Sequence, residues 1–281
     1  MSTGALIFAH NNTGIDYTKL AVFSAARVKE FLNIPVSIVT DNVKWLEKTY
    51  PNHTFDKVIE ISTEPATQKL FYDGAISSKK LDWHNVTRSR CYELSPYDTT
   101  LVLDSDYILN SNILKLAINR DESFQIYRNS FDLSGWRESP FYKRINQYSI
   151  PFYWATVFIF KKNQLTQTFF DLVSYIKANW LYFKVLYSID SNVFRNDFAF
   201  SIAIHIMNGK MEGDFAIELP GKMTYLEDRD ILINIDNDKV KFITQKKDHL
   251  GEYIAGKVQG IDVHIMNKYS LSRVIDGEIG V

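Results

Sequence analysis

Cysteine is nearly absent from this chain of 281 residues, and Cys91 is its single representative. One thiol excludes an intrachain disulfide and a zinc site built from several thiolates, and it fits a reducing compartment, so a cytoplasmic location is expected. Long apolar runs are also missing. None approaches the roughly 20 residues a membrane helix requires, which argues against a transmembrane segment. The first eight residues lack the basic flank and cleavage site of a signal peptide and read as a strand. On that reading the Asn-x-Thr triplets at Asn11, Asn52 and Asn85 carry no glycosylation meaning. Charge of either sign is not in excess. With 32 basic and 33 acidic residues, the net charge of -1 gives no global attraction for nucleic acid, although a local pocket can still hold a small anion.

Hydrophobic residues make up 46% of the chain, enough for a substantial core, and aromatics make up 14%. Most of those rings belong to the core, while some suit stacking on sugar C–H faces. Residues 5–9 form a short apolar run ending at His10-Asn11-Asn12-Thr13-Gly14, the pattern of a buried strand opening into a polar loop. A helix with its apolar stripe at Tyr17, Leu20, Ala21, Val28 and Phe31 follows and stops before Pro35. Strands at 36–40 and 57–61 flank a short helix at 43–50. This rhythm predicts a parallel sheet with right-handed crossovers. Residues 62–83 break the pattern and read as an active-site loop. A helix at 85–94, a buried strand at 100–103, a helix reaching 117 and a strand at 123–127 come next. After an irregular stretch at 128–151, a strand at 155–160 and helices at 164–180 and 196–207 are expected. Short strands at 215–217, 230–235, 240–244 and 258–264 complete an irregular C-terminal part. No repeat, low-complexity tract or linker divides residues 1–281, so a single α/β domain is the simplest account.

In an open parallel sheet, ligands lie beyond the carboxyl ends of the strands. Asp104-Ser105-Asp106 stands at such an end, directly after Leu101-Val102-Leu103. Residues two apart on an extended chain point the same way, so both carboxylates can meet one hard divalent cation. The alternatives are a helix cap or a surface turn.

The phrase Ser95-Pro96-Tyr97-Asp98-Thr99-Thr100-Leu101-Val102-Leu103-Asp104-Ser105-Asp106, with the order of elements around it, resembles the nucleotide-sugar glycosyltransferases of the GT-A fold. The resemblance implies a Rossmann-like α/β fold with a mostly parallel central sheet flanked by helices. It also implies hexosyl transfer from a nucleotide diphosphate sugar, with a UDP-sugar favoured, to a glycan or other hydroxyl acceptor. Asp104 and Asp106 would hold Mn2+ or Mg2+ against the diphosphate beside Ser105. His10, Asn11 and Asp41 match positions near the nucleobase and ribose, and Arg88 matches a basic residue that contacts the donor, while each also reads as an ordinary loop polar group or a solvated helix charge. In Val263-His264-Ile265-Met266-Asn267-Lys268, His264 is similar to a third metal ligand and Lys268 to a diphosphate contact of the glycogenin and lipopolysaccharide galactosyltransferase branch. The usual Gly and Pro-Trp around that Lys are missing. His264 otherwise reads as an ordinary strand histidine. Trp154 and Thr156 resemble the sugar pocket, with a core anchor as the alternative for Trp154. Asp197 resembles an acidic residue near the acceptor, and it also suits a helix N-terminus.

Two other readings compete. A haloacid-dehalogenase-like phosphatase would use Asp104 as nucleophile, but its motif usually comes earlier, and Glu227-Asp228-Arg229-Asp230 is the nearest acidic partner. A catalytically silent nucleotide-sugar or glycan-binding protein would keep the pocket without turnover. A nucleotidyltransferase fits less well, because no Gly-rich loop with a basic residue follows the first strand.

Overall fold

The computed structural model describes residues 2–62, 66–84, 86–137, 142–146, 149–191 and 193–279. Along the chain, the first half comprises β1 (Thr3–Ala9), α1 (Tyr17–Leu32), β2 (Val36–Thr40), α2 (Val43–Thr49), β3 (Lys57–Glu60), β4 (Thr67–Asp73), β5 (Ser77–Trp83), a 3-10 turn (Val86–Arg90), α3 (Cys91–Leu94), β6 (Thr99–Asp104), β7 (Tyr107–Ile108), α4 (Leu114–Ile118), β8 (Phe124–Tyr127) and β9 (Ser130–Asp132). It continues with β10 (Trp154–Lys161), α5 (Gln164–Ala178), α6 (Trp180–Leu186), α7 (Asn196–Met207), β11 (Ile217–Glu218), β12 (Met223–Leu226), β13 (Ile231–Asp236), β14 (Lys239–Gln245), β15 (Tyr253–Gln259), β16 (Val263–Ile265) and α8 (Lys268–Ile279).

The main sheet has seven strands in the order β11-β8-β10-β6-β1-β2-β3. Its β1, β2, β3 and β6 run parallel, and β10 inserts antiparallel between β6 and β8. Parallel strands covered on both faces must be apolar along their length, and β1, β2 and β6 are buried almost throughout. The expected mostly parallel sheet flanked by helices is therefore present. The antiparallel β10 has a functional consequence, because it starts where β6 ends. Its residues Trp154, Ala155 and Thr156 thus reach the carboxyl edge of the parallel strands, just beyond the Val157–Leu103 pair.

A second, four-stranded sheet has the order β7-β16-β12-β9. It joins chain segments far apart in sequence, since His264 on β16 pairs with Tyr107 on β7. The Ile265 amide also donates to the Asp106 carbonyl at 2.9 Å. A three-stranded meander, β13-β14-β15, packs beside α8.

Several elements differ from expectation. Residues 62–83 contain a regular hairpin, β4 paired with β5, because Gly74 at φ +73 permits its turn. The strand expected at 258–264 is two strands, broken where Gly260 takes φ +64. The strand expected at 215–217 is present only as β11. The helix expected at 85–94 begins at Val86 as a 3-10 turn, and Asn85 lies outside the described residues. The helix expected at 164–180 ends at Ala178, and α6 follows as a separate turn of chain. Helix α8 was not anticipated. Asn267 starts it, its Oδ1 accepting from the Ser270 amide at 3.0 Å while its Nδ2 donates to the Asp230 carbonyl at 2.8 Å.

Candidate active site

A cavity of about 540 Å³ opens at the carboxyl edge of β1 and β6. Asp104 closes β6, in register with Phe8 of β1, and the chain then turns through Ser105 and Asp106 into β7. The two carboxylates converge because of this turn between two sheets. The alternation of a continuous strand, which the sequence suggested, is not what brings them together. Ligating atoms of Asp104, Asp106 and His264 lie within 4.8 Å of one another. His264 arrives through its pairing with Tyr107, so a residue late in the chain is fixed by main-chain hydrogen bonds to an early motif.

The charges around these three residues are arranged in detail. Asp106 Oδ2 lies 3.1 Å from His264 Nε2 and 2.6 Å from Lys268 Nζ. Burial alone would raise the Asp106 pKa, but Lys268 and His264 outweigh it and hold the carboxyl well below its usual range. Arg88 pairs with Asp104 through Nη2 and donates from Nη1 to the Ala155 carbonyl at 2.6 Å. Asp197, in the first turn of α7, accepts from the Ala155 amide at 2.9 Å and from Arg195 Nη2 at 2.7 Å. Ala155 thus links Asp197 to Arg88 and, through it, to Asp104. Its amide and carbonyl are available because the β10–β8 register shifts between Trp154 and Phe158. Two oxygen donors and one imidazole, gathered at this separation, fit a hard divalent cation such as magnesium or manganese.

Of the remaining expected residues, His10, Ser105, Trp154 and Thr156 line the cavity. His10 follows β1 and Asp41 follows β2, so their parallel register sets the side chains adjacent, with His10 Nδ1 3.3 Å from Asp41 Oδ1. Asp41 itself stands behind His10 and outside the cavity wall. Asn11 also lies off the wall and binds the start of α1, its Oδ1 accepting from the Thr18 amide at 3.0 Å. Trp154 is 1% exposed and packs its ring against Tyr142, Phe152 and Tyr225 with centroids 4.6, 5.4 and 5.5 Å away. The ring is thus chiefly a core anchor.

Sequence reasoning passed over Lys69. The hairpin carries it into the cavity, with Nζ 4.8 Å from the Trp83 ring centroid and 5.5 Å from that of Phe71. Burial first, then Lys268 and Arg195, push its amine down from 10.5 to about 8. Asp228, also missed as a pocket residue, is raised by burial, partly offset by Lys69 and Lys268. Asp230, by contrast, is wholly buried against Arg137 and forms no part of the wall.

No protein-family model matches this sequence, and no sequence among curated proteins matches it. Solved structures with a similar course of chain include the glycosyltransferase GlyE of Streptococcus pneumoniae TIGR4, at 11% identity and a TM-score of 0.45 over 78% of this chain and 46% of that one. The galactosyltransferase LgtC, in complex with donor and acceptor sugar analogs, is similar at 13% identity and a TM-score of 0.47, over 76% and 72% of the two chains. The bifunctional IspDF of Campylobacter jejuni is similar at 13% identity and a TM-score of 0.41, over 79% and 50%. This chain therefore spans about half of the GlyE and IspDF chains. The residues of the cavity, and not these likenesses, carry the functional argument.

Proposed function

We propose that this chain is a divalent-metal-dependent glycosyltransferase of the GT-A type, transferring a hexose from a nucleoside diphosphate, UDP foremost, to a hydroxyl acceptor. The observation that carries this reading is the convergence of Asp104, Asp106 and His264 at the sheet's carboxyl edge, ringed by Arg88, Lys69 and Lys268. A manganese or magnesium ion held by the three ligands would shield the diphosphate from the carboxylates and stabilise the charge it gains on leaving. Lys268, at the start of α8, and Lys69, on the hairpin, approach that diphosphate from two sides. A lysine at a helix N-terminus opposes the helix dipole, and here the Asp106 carboxylate, 2.6 Å from its Nζ, offsets that cost and holds the ammonium beside the metal ligands. His10, backed by Asp41, takes the nucleoside end, while Asn11 holds the adjoining loop. Arg88 orients Asp104 and, through Ala155, Asp197.

The reaction breaks the anomeric C–O bond to the diphosphate and forms one to the acceptor oxygen, whose proton must leave. Asp197 is the carboxylate on the acceptor side, beside Thr156 and Trp154. If the product is inverted it receives that proton, and if configuration is retained it positions a sugar hydroxyl while the proton passes to the departing diphosphate oxygen. The protein's location is proposed to be cytoplasmic.

A panel of nucleotide sugars tests this reading. One or more should raise the melting temperature only when magnesium or manganese is present, and should then be hydrolysed slowly without acceptor. Asp197→Asn should keep that shift and reduce turnover by about 10²–10⁴-fold if it is the base. No shift with any sugar nucleotide, together with Asp104-dependent hydrolysis of a phosphate monoester, would replace the proposal with a phosphatase.

A further inference from the structure

A second cavity, of about 630 Å³, lies at the other end of α7 from the first. His205 and Asn208, near the end of that helix, line it, whereas Asn196 and Asp197 at the beginning line the candidate active site. Its rim carries Arg128, Arg144 and Lys210, all exposed, and none of the three forms an ion pair among the described residues. Glu212 is the one carboxylate on its wall among the described residues. Lys210 is held in place by a left-handed turn, with φ +65 following Gly209 at φ +70 and its amide donating to the His205 carbonyl at 2.8 Å.

An apolar surface continues from this cavity. Helix α6 turns Leu181, Tyr182, Val185 and Leu186 outward, exposed by 78, 65, 79 and 57%, and Tyr175 on α5 extends the same face. Leu186 belongs to both features, since it also lines the cavity with Met211. The loop carrying Arg144 is tied to the end of α6, Asn146 Nδ2 donating to the Tyr187 carbonyl at 2.7 Å. Soluble monomers seldom leave such a run of large apolar side chains in water. Here the run is edged by cations and includes two tyrosines, the combination that settles at the boundary between headgroups and acyl chains.

We infer that α6 and the cavity beside it form a docking surface for an anionic lipid bilayer. Leu181, Val185 and Leu186 enter the interface, Tyr175 and Tyr182 sit at headgroup level, and Arg128, Arg144 and Lys210 receive a headgroup phosphate. This surface is separate from the candidate active site, so it stands or falls independently of the proposed transfer reaction.

Co-sedimentation of the whole chain with vesicles decides the matter. Binding is expected to vesicles of phosphatidylcholine containing phosphatidylglycerol, to weaken with salt, and to be lost with phosphatidylcholine alone. Arg128→Gln with Lys210→Gln should lower the partition by roughly 25-fold, at about fivefold per cation. Leu181→Ser with Val185→Ser should abolish it while leaving the melting temperature unchanged, because both side chains are already exposed. Equal binding to neutral vesicles, or none to either kind, would overturn the inference. It would also be overturned if inorganic phosphate stabilised the protein but vesicles failed to sediment it. A dimer in ultracentrifugation that Leu181→Ser with Val185→Ser dissolves, without vesicle binding, would assign the face to a second copy of this chain.

Discussion

At the scale of single residues, Lys69 has a titration that falls where function can report it. Lys268, Arg195, Asp228 and Asp106 are the charged groups acting on it, and its amine loses its proton as pH rises through about 8. Affinity for uridine diphosphate with magnesium should therefore decline between pH 7 and 9, and Lys69→Met should bind more weakly at pH 7 with a flatter decline. Stability should move the other way. The unfolded chain holds this proton up to the ordinary 10.5 while the folded chain releases it near 8, so folding gains stability with rising pH in that window. Titration calorimetry and urea unfolding at pH 7, 8 and 9 read both trends, and parallel changes in the parent and Lys69→Met would remove Lys69 from the diphosphate site. Its place in the cavity wall was hidden in the sequence, because residues 67–73 are mostly polar and the hairpin has little apolar alternation to betray a strand. Asp104 and Asp106 were legible for the opposite reason. An unbroken apolar strand running straight into two acidic residues is a local pattern, and it needs no tertiary information.

Elements position these residues, and the connection between β12 and β13 is heavily braced. Arg137 Nε is 2.8 Å from Asp132 Oδ2, and its Nη1 donates to Asp230 Oδ1 at 2.8 Å. Asp230 also accepts from the Gln245 and Glu227 amides, at 2.9 Å each, so one carboxylate gathers the meander, β9 and the segment carrying Asp228. Removing the guanidinium would leave two buried carboxylates unpaired. Arg137→Met should cost about 3–5 kcal/mol and lower the melting temperature by about 10 °C, and adding Asp230→Asn should restore part of the loss. Thermal unfolding of both variants checks this, and a melting temperature within about 2 °C of the parent's for Arg137→Met would refute it. The sequence offered Glu227-Asp228-Arg229-Asp230 only as a possible acidic motif. Which of its members faces the cavity depends on Arg137, ninety-three positions away from Asp230, and no local pattern encodes that pairing. Helix α8 escaped for a related reason. Its Asn267 cap and Lys268 were taken up by the resemblance to a diphosphate-binding segment, and the chain after them is too polar for a clear apolar stripe.

Across the whole molecule, the central sheet followed from alternating apolar strands and amphipathic helices. The second sheet did not, because β7, β9, β12 and β16 are only two to four residues long, too short to show a period, and depend on pairing with one another and on burial in the core. Yet this sheet completes the site. It lays the segment from His264 to Lys268 against Asp106, so a ligand bound there would tie the C-terminal part to the main sheet. The central claim is that Asp104, Asp106 and His264 bind a nucleoside diphosphate through a divalent cation. Calorimetric titration of uridine diphosphate into the protein, with manganese and then with excess chelator, tests it most directly. The account predicts binding in manganese, a loss of at least about tenfold on chelation, and a comparable loss for Asp106→Asn with its fold intact. Equal affinity with and without the chelator would contradict it.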